Sequence, residues 1–392
     1  MVENSSFLKR LEDSGLATEF LPEVRESISS GAIDSDVAKE LTDRRILTDY
    51  QSQSLLENSG AALVIGEYEV LDQIGRGGMG YVVKARHRTM DRLVAIKFIL
   101  PNYTESVDVR QRFEREVKAA AKLEHPNIVT AYDAGSMADG SHYLVMRYVP
   151  GKDLSTRVRE EAPLSVAAAI DVICQTARGL AYAHEQEIVH RDIKPANLLL
   201  DAQGVVRILD MGLARMRATP GDDDPDGLTN TGSMMGTIDY MAPEQAMDAR
   251  SADHRADIYS LGCTLFFLLM GKAPYASDSM MSRLLAHRDG AVPLLSSVLS
   301  GIPPELESIY IQMMAKDREH RYQSMDEVIA ALSAIDVEED NSSAHATVDF
   351  PEDGSGGFIQ LPDGERELGD AAQQATVVPD HDSKPTIPTG SR

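Results

Sequence analysis

The sequence predicts an α+β protein in which a strand-rich part precedes a helix-rich part. From Glu67 onward, apolar and polar residues alternate with a period of two, which is typical of half-buried strands. A single helix, at 107–123, is expected within this part. Beyond it, five segments are predicted to be helical, namely 165–187, 257–270, 279–288, 303–315 and 324–335.

Two further regions flank this α+β part. Residues 1–65 are predicted to form a small helical region, because apolar residues recur at helical spacing in Phe7, Leu8 and Leu11 and because Thr48 begins a capped helix. Its function stays open between a docking module and a packing appendage. Residues 336–392 contain 13 Asp and Glu against 3 Lys and Arg. Such a segment is too polar to bury, so we expect an acidic, disordered tail.

Composition restricts the classes of partner. The formal net charge of -24 over 392 residues argues against a nucleic-acid partner and against an anionic membrane surface. The two cysteines, Cys174 and Cys263, make a disulfide framework improbable. The first residues do not resemble a signal peptide, and the longest apolar run, 261–270, is about half of what a membrane span needs. We therefore expect a cytoplasmic protein without a membrane span.

The stretch 190–197, His-Arg-Asp-Ile-Lys-Pro-Ala-Asn, combines a carboxylate, an ammonium and an amide within eight residues. Asp192 could accept a proton from an attacking hydroxyl, Lys194 could neutralise a migrating phosphoryl group, and Asn197 could hold a divalent metal. Phosphoryl transfer requires mainly positioning and charge neutralisation, which this combination supplies. The stretch therefore favours phosphoryl transfer over a solvated polar turn.

A glycine-rich segment lies at 74–85, with Gly75, Gly77 and Gly80 between strand-like residues. Glycines at these positions allow backbone N–H groups to close over phosphates. The same pattern also occurs in dinucleotide-binding turns, but there a helix begins at once. Here the β-type residues Tyr81 and Val82 follow, which disfavours that alternative.

Four further motifs occur along the chain: Val-Ala-Ile-Lys ending at Lys97, Glu116 on the predicted helix, Asp-Met-Gly from Asp210, and Ala-Pro-Glu ending at Glu244. Together with the two preceding motifs, they resemble the catalytic domain of protein kinases, specifically the eukaryotic-like serine/threonine kinases of bacteria. The resemblance covers about 68–335. It implies a bilobal protein-kinase fold with an N-lobe (68–146), a hinge (147–151) and a C-lobe (152–335).

The resemblance implies ATP as the nucleotide, bound in the cleft between the lobes. Gly75, Gly77 and Gly80 would cover its phosphates. The residues expected around ATP are Ile74, Gly75, Arg76, Gly77, Gly78, Met79, Gly80, Tyr81, Val82, Ala95, Lys97, Glu116, Met146, Tyr148, Val149 and Asp153.

Individual roles follow from the same resemblance. Lys97 would hold the α- and β-phosphates and pair with Glu116. Met146 would close the back of the adenine pocket, and Asp153 would lie near the ribose. Tyr148 and Val149 would form the adenine-binding hinge.

In the C-lobe, the resemblance makes Asp192 the catalytic base, with Lys194 at the γ-phosphate. Asn197 and Asp210 would hold Mg²⁺, with Mn²⁺ as an alternative. Lys194 is typical of the serine/threonine branch. Met211 replaces the usual phenylalanine, and it can fill the same apolar slot because methionine is long and adaptable.

The resemblance also implies structural and regulatory residues. Glu244 would pair with Arg321, and Asp257 would accept hydrogen bonds from the catalytic-loop backbone. Three arginines would form a phosphate pocket for a phosphorylated activation segment: Arg112, Arg191 and Arg215. The candidate phosphosites are Thr229, Thr231 and Ser233. We expect phosphorylation at Thr229 or Thr231 to raise activity; an unchanged rate and lag with alanine at both would contradict this.

The sequence therefore predicts an ATP- and Mg²⁺-dependent serine/threonine protein kinase that acts on proteins and forms a transient homodimer for trans-autophosphorylation. The alternative is a pseudokinase scaffold that binds nucleotide without transfer, but Lys97, Asp192, Asn197 and Asp210 are all present. A small-molecule kinase is disfavoured by Glu244 and by the activation segment. A nicotinamide-dependent oxidoreductase would explain only the glycines.

Overall fold

A computed structural model of the chain describes residues 6–77, 80–100, 107–211, 238–248, 252–275, 277 and 279–336, without the side chains of 107–110, 112 and 113. Within these ranges, four helices come first, an antiparallel sheet follows, and a mostly helical part comes last. The α+β bilobal class predicted from the sequence is confirmed.

The N-terminal helices are α1 (Ser6–Ser14), α2 (Leu21–Ser29), α3 (Asp34–Asp43) and α4 (Asp49–Glu57). Their apolar faces share one small core that includes Phe7, Leu11, Leu41 and Leu55. Thr48 caps α4 as predicted: its Oγ1 accepts from the N–H of Gln51, and the Gln51 side chain accepts from the N–H of Thr48. This reciprocal capping satisfies two N–H groups that the helix leaves open.

The N-lobe sheet has the order β1-β2-β3-β4-β6-β5, with all neighbours antiparallel. Its strands are β1 (Val64–Ile65), β2 (Tyr68–Gly77), β3 (Gly80–His87), β4 (Arg92–Ile99), β5 (Ala131–Ser136) and β6 (His142–Arg147). The short strand β1 lies before residue 68, so the sheet begins earlier than the expected N-lobe boundary. The predicted helix of this lobe is α5 (Val107–Ala120), which ends three residues earlier than expected.

The C-lobe contains a three-stranded sheet of β7 (Gly151–Asp153), β8 (Leu198–Asp201) and β9 (Val206–Ile208). Its helices are α6 (Leu154–Glu160), α7 (Val166–Glu185), α8 (Pro243–Met247), α9 (Arg255–Met270), α10 (Met280–Asp289), α11 (Pro304–Met313) and α12 (Met325–Ser333). The apolar helix α9 is buried from Ala256 to Leu269 and forms the centre of the core. Because protein surrounds it on all sides, its apolar run needs no membrane. Among the described residues, none of the helices has both the length and the apolar character that a membrane crossing requires.

A buried histidine makes C-lobe stability depend on pH. His287 of α10 is fully buried, its Nδ1 lies 2.9 Å from the Tyr259 hydroxyl, and its ring contacts Tyr275 edge-on. Burial and the nearby Lys316 ammonium lower its pKa to about 4, against a weak opposing contribution from the Asp239 backbone. The unfolded chain therefore takes up the proton first as the pH falls.

The contribution of His287 to the free energy of unfolding is thus fully present above about pH 6.5. It is lost as the pH falls to about 4, and the total loss is about 3 kcal/mol. We expect the variant His287→Gln to lose this part of the pH dependence in urea unfolding between pH 4 and 6.5. His320→Gln, at a side chain that is 78% exposed, is the matched control. Identical slopes for wild type and His287→Gln would contradict the assignment.

Candidate active site

The loop 190–197 is held by one buried carboxylate, Asp257 of α9. Its Oδ2 accepts from the N–H of His190 at 2.9 Å, and its Oδ1 accepts from the N–H of Arg191 at 2.7 Å. His184 of α7 places its Nε2 2.8 Å from the same Oδ2. Arg191 has a φ of 67°, which L-residues rarely adopt. The two carboxylate bonds therefore hold the loop in a turn that its sequence does not favour.

The pKa of Asp257 reflects this network. Complete burial alone would raise it, but the hydrogen bond and the charge of His184, together with the hydrogen bond from the Arg191 N–H, outweigh burial and lower it. The carboxylate is therefore ionised at neutral pH, as an acceptor for two backbone N–H groups should be.

Asp192, Lys194 and Asn197 converge at the end of this loop. The Asn197 Nδ2 donates to the Asp192 carbonyl at 2.7 Å and to Asp192 Oδ2 at 3.2 Å. The Lys194 Nζ lies 3.1 Å from the same Oδ2. All three residues are less than a tenth exposed. The Asp192 carboxylate is thus oriented by two donors, while Asn197 Oδ1 is the acceptor atom of that amide.

His190 connects this loop to the residues before Asp210. Its Nε2 lies 2.7 Å from the Leu209 carbonyl, and its Nδ1 lies 3.2 Å from the Asp192 N–H. Since a carbonyl only accepts and an N–H only donates, the ring carries its proton on Nε2. The backbone of Asp210 itself has a φ of 57°. One imidazole therefore connects the backbone of Asp192 to the backbone next to Asp210.

Lys97 of β4 meets Asp210 across the cleft between the lobes. The Lys97 Nζ lies 2.5 Å from Asp210 Oδ2, although 113 positions separate the two in sequence. Lys97 is paired with Leu144 on one side and with Val82 on the other, so its strand lies inside the sheet. An ammonium from one lobe and a carboxylate from the other therefore form an ion pair. Glu116 of α5 is buried, with 8% exposure.

The glycine-rich segment is the hairpin of β2 and β3. Gly75 lies opposite Val82 and Gly77 lies opposite Gly80, with 78 and 79 outside the described residues. A Cβ on Gly80 would lie 1.8 Å from the Phe98 carbonyl oxygen, so only glycine fits there. Arg76 pairs with Tyr81, whose ring stacks on Phe98.

The apolar side of the cleft combines residues from strands β2, β3, β4 and β6. Ile74, Ala95 and Met146 share one buried cluster against which Val82 and Tyr148 pack. Val149 is also buried, and the Lys84 Nζ lies 5.0 Å from the centre of the Tyr148 ring. A small cavity behind these residues is lined by Ala120, Val129, Ala131, Leu144, Met146, Asp210 and Met211. Met211 is buried there, which matches the apolar slot expected for it.

Asp153, expected near a ribose, acts as a helix cap. Its Oδ1 accepts from the Thr156 N–H at 2.9 Å and its Oδ2 from the Thr156 hydroxyl at 2.6 Å. Burial raises the pKa of this carboxyl against those two bonds. The structure therefore assigns the Asp153 carboxylate to α6, and a contact with a ribose stays a prediction.

Glu244 and Arg321, which were expected to pair, form a bidentate ion pair with distances of 2.7 and 2.8 Å. Arg321 donates its other N–H groups to the carbonyls of Arg255, Lys316 and Ala315. All five guanidinium donors are therefore used in a side chain that is completely buried. The pair connects helix α8, which contains Glu244, to the segment before α12, which contains Arg321.

A family model described as protein kinase domain matches residues 68–331. This chain belongs to the protein kinase family. It is 36% identical to the serine/threonine-protein kinase PrkC of Bacillus subtilis over 276 residues, which cover 70% of this chain and 41% of PrkC. It is 37% identical to the serine/threonine-protein kinase PknB of Mycobacterium tuberculosis over 272 residues, which cover 68% of this chain and 42% of PknB.

A solved structure of the Mycobacterium tuberculosis PknI kinase domain is also similar, with a TM-score of 0.55 and 27% identity over 70% of this chain and 98% of that one. The chain spans about two fifths of the length of the curated relatives. These relatives confirm the predicted resemblance to bacterial eukaryotic-like serine/threonine kinases.

Several residues predicted to bind ATP or to take part in regulation, and the predicted tail, lie outside the described ranges. These are Gly78, Met79, Arg215, Thr229, Thr231 and Ser233, together with the side chain of Arg112 and the tail 337–392. Arg191, the third expected member of the phosphate pocket, donates from Nη2 to the Ala252 carbonyl at 3.0 Å.

Three contacts of the kinase site were not anticipated from the sequence: His184 to Asp257, His190 to Leu209, and Gln245 to the Arg191 carbonyl at 3.0 Å. His190 stands two residues before Asp192 and could have been singled out by its place in the motif. His184 and Gln245 lie on helical segments where polar residues are ordinarily solvated. Only the packing of α7 and α8 against the loop shows their role.

Proposed function

We propose that this chain is a serine/threonine protein kinase that transfers the γ-phosphoryl group of ATP to serine and threonine hydroxyls of proteins. The observation that carries the proposal is the contact of Lys97 with Asp210 across the cleft, next to the cluster of Asp192, Lys194 and Asn197. The names of PrkC and PknB support the substrate class.

The residues of the cleft fit a magnesium ion and a nucleoside triphosphate. Asp210 offers a carboxylate and Asn197 offers Oδ1, and oxygen donors of this kind suit Mg²⁺, which keeps water and phosphate oxygens as its other ligands. Mn²⁺ suits the same donors. Lys97 would contact the α- and β-phosphates, and the apolar cluster around Met146 would receive the adenine. When bound, the metal would neutralise charge on the transferred phosphoryl group.

In the proposed reaction, the oxygen of a serine or threonine hydroxyl attacks the γ-phosphorus while the bond to the β–γ bridging oxygen breaks and ADP leaves. Asp192 accepts the hydroxyl proton. Lys194, held 3.1 Å from Asp192 Oδ2, faces the negative charge of the migrating group. Asn197 keeps the Asp192 carboxylate in place through its Nδ2.

The test is transfer of radiolabel from [γ-³²P]ATP to a generic protein substrate, followed by phosphoamino-acid analysis. We expect label on serine and threonine, loss of transfer when EDTA removes the metal, and recovery with added Mg²⁺ or Mn²⁺. Heat on titration with Mg·ATP but no transfer would instead support the pseudokinase alternative. No binding and no transfer would overturn both.

The proposal extends to autophosphorylation at Thr229 or Thr231 within a transient homodimer, and to action in the cytoplasm. Free Cys174 and Cys263, both buried, are compatible with a reducing compartment. The division into a helical region (1–65), a kinase domain (68–335) and an acidic tail (336–392) is part of the same proposal.

A further inference from the structure

The N-terminal helical region contacts the strand that leads into the glycine-rich hairpin. Gln51 of α4 is 1% exposed, and its Nε2 donates to the Val70 carbonyl at 2.7 Å and to Glu69 Oε1 at 3.1 Å. Thr48 donates from Oγ1 to the Leu71 carbonyl at 2.6 Å. The two side chains that cap α4 therefore also bind the backbone of β2.

These bonds are made where β2 departs from regular pairing. Val70 pairs with Ala85 and Asp72 pairs with Lys84, so Leu71 is an extra residue in the β2–β3 ladder. A bulge of this kind bends a strand and increases its twist. Strand β1 pairs only with Tyr68 and Glu69, so it ends beside the bulge. Beyond that point, α4 supplies the donors on this side of β2.

The bend is close to the glycines of the hairpin. Gly75 lies four residues after Leu71, or about 13 Å along an extended strand. A second register shift, between Gln73 and Gly75, leaves Ile74 without an opposite residue. The direction in which β2 leaves the bulge therefore determines where the glycines lie relative to Lys97 on the same sheet.

Apolar contacts also connect α4 to the N-lobe sheet. Tyr50, the second residue of α4, packs against the N-terminal core and also against a buried apolar cluster of the N-lobe sheet. Tyr81 of the hairpin packs against the same sheet cluster. Burial raises the pKa of the Tyr81 hydroxyl, and the nearby Tyr50 adds to this effect. Tyr50 of α4 and Tyr81 of the hairpin thus pack against the same apolar cluster.

We propose that Thr48 and Gln51 are positioning residues of the nucleotide site: by binding the Leu71 and Val70 carbonyls, they set the bend of β2 and so the position of the glycine-rich hairpin over the triphosphate. This inference rests on the proposed kinase function. It assigns to residues 6–57 a part in nucleotide binding in addition to packing.

The decisive variant is Gln51→Glu in the full chain. Glutamate keeps the size of the side chain and its capping bond to the Thr48 N–H, because glutamate also serves at this position of a capping box. It replaces the Nε2 donor by an oxygen that faces the Val70 carbonyl and the Glu69 carboxylate, so the contact with β2 becomes repulsive. Ser52→Ala is the matched control, because Ser52 is a buried neighbour whose hydroxyl bonds Ala38 inside the N-terminal core.

We expect Gln51→Glu to raise the KM for Mg·ATP and the Kd for Mg·ADP about fivefold or more, with kcat within about twofold, on the scale of one buried hydrogen bond lost. Amide hydrogen exchange at 70–77 should become faster in Gln51→Glu only. Ser52→Ala should leave all three readouts near wild type.

A Gln51→Glu protein with wild-type KM, Kd and exchange at 70–77 but a lower melting temperature would overturn the inference and leave residues 6–57 a packing appendage. Equal changes in Gln51→Glu and Ser52→Ala would overturn it too, because they would show a general loss of the N-terminal core. A wild-type chain that transfers no phosphoryl group would instead overturn the proposed function.

Discussion

Replacing Asp192 with asparagine is expected to lower kcat for protein phosphorylation by about 10²- to 10⁴-fold, the range that a general base contributes. Asparagine keeps the shape of the side chain and one acceptor oxygen for Asn197 and Lys194. It removes the negative charge that, in the proposed reaction, accepts the hydroxyl proton, and that faces the buried Lys194 ammonium. Initial rates with radiolabelled ATP, together with calorimetric titration of Mg·ADP, separate the loss of transfer from a loss of binding.

Asp201→Asn is the matched control for this variant. Asp201 is also a buried aspartate of the C-lobe, and it contacts the Arg207 guanidinium at 3.3 Å on the far end of β8. Both variants remove a carboxylate charge beside a cation, so both should lower stability. A similar fall in kcat for the two would show that Asp192 acts through folding alone and would remove it from the proposed chemistry.

Replacing Arg321 with methionine is expected to lower the free energy of unfolding by about 3–5 kcal/mol, the usual result of removing one partner of a buried ion pair. The loss would leave the Glu244 carboxylate and three backbone carbonyls without their donor. Urea unfolding followed by circular dichroism measures the change.

Arg318→Ala is the control here, because Arg318 is 38% exposed and its contact with Asp253 at 3.5 Å is solvent-screened. Its loss should cost less than about 1 kcal/mol. The double variant Glu244→Gln with Arg321→Met should recover part of the loss, since no uncompensated carboxylate remains. A cost below about 1 kcal/mol for Arg321→Met would contradict the buried-pair interpretation.

Local physical chemistry made much of this kinase predictable from its sequence. The capping pattern of Thr48 and Gln51 placed the start of α4, since a helix N-terminus needs acceptors within its own first turn. The glycines, the loop 190–197 and the order of the motifs indicated the family and its candidate site. Helix ends were less well predicted, as for α5, because fraying and packing decide the last turn.

Long-range packing decided the rest. Periodicity and capping describe only neighbours along the chain, so they do not reveal that Lys97 meets Asp210, or that His184 binds Asp257. Asp153 shows the same limit, because the sequence did not reveal that its carboxylate caps α6; the ribose contact stays a prediction. The sequence by itself determined which elements form and which chemistry they carry. Only the tertiary structure decided that α4 binds β2 beside the glycine-rich hairpin, because a side chain such as Gln51 can satisfy a distant carbonyl only after the fold has brought the two together.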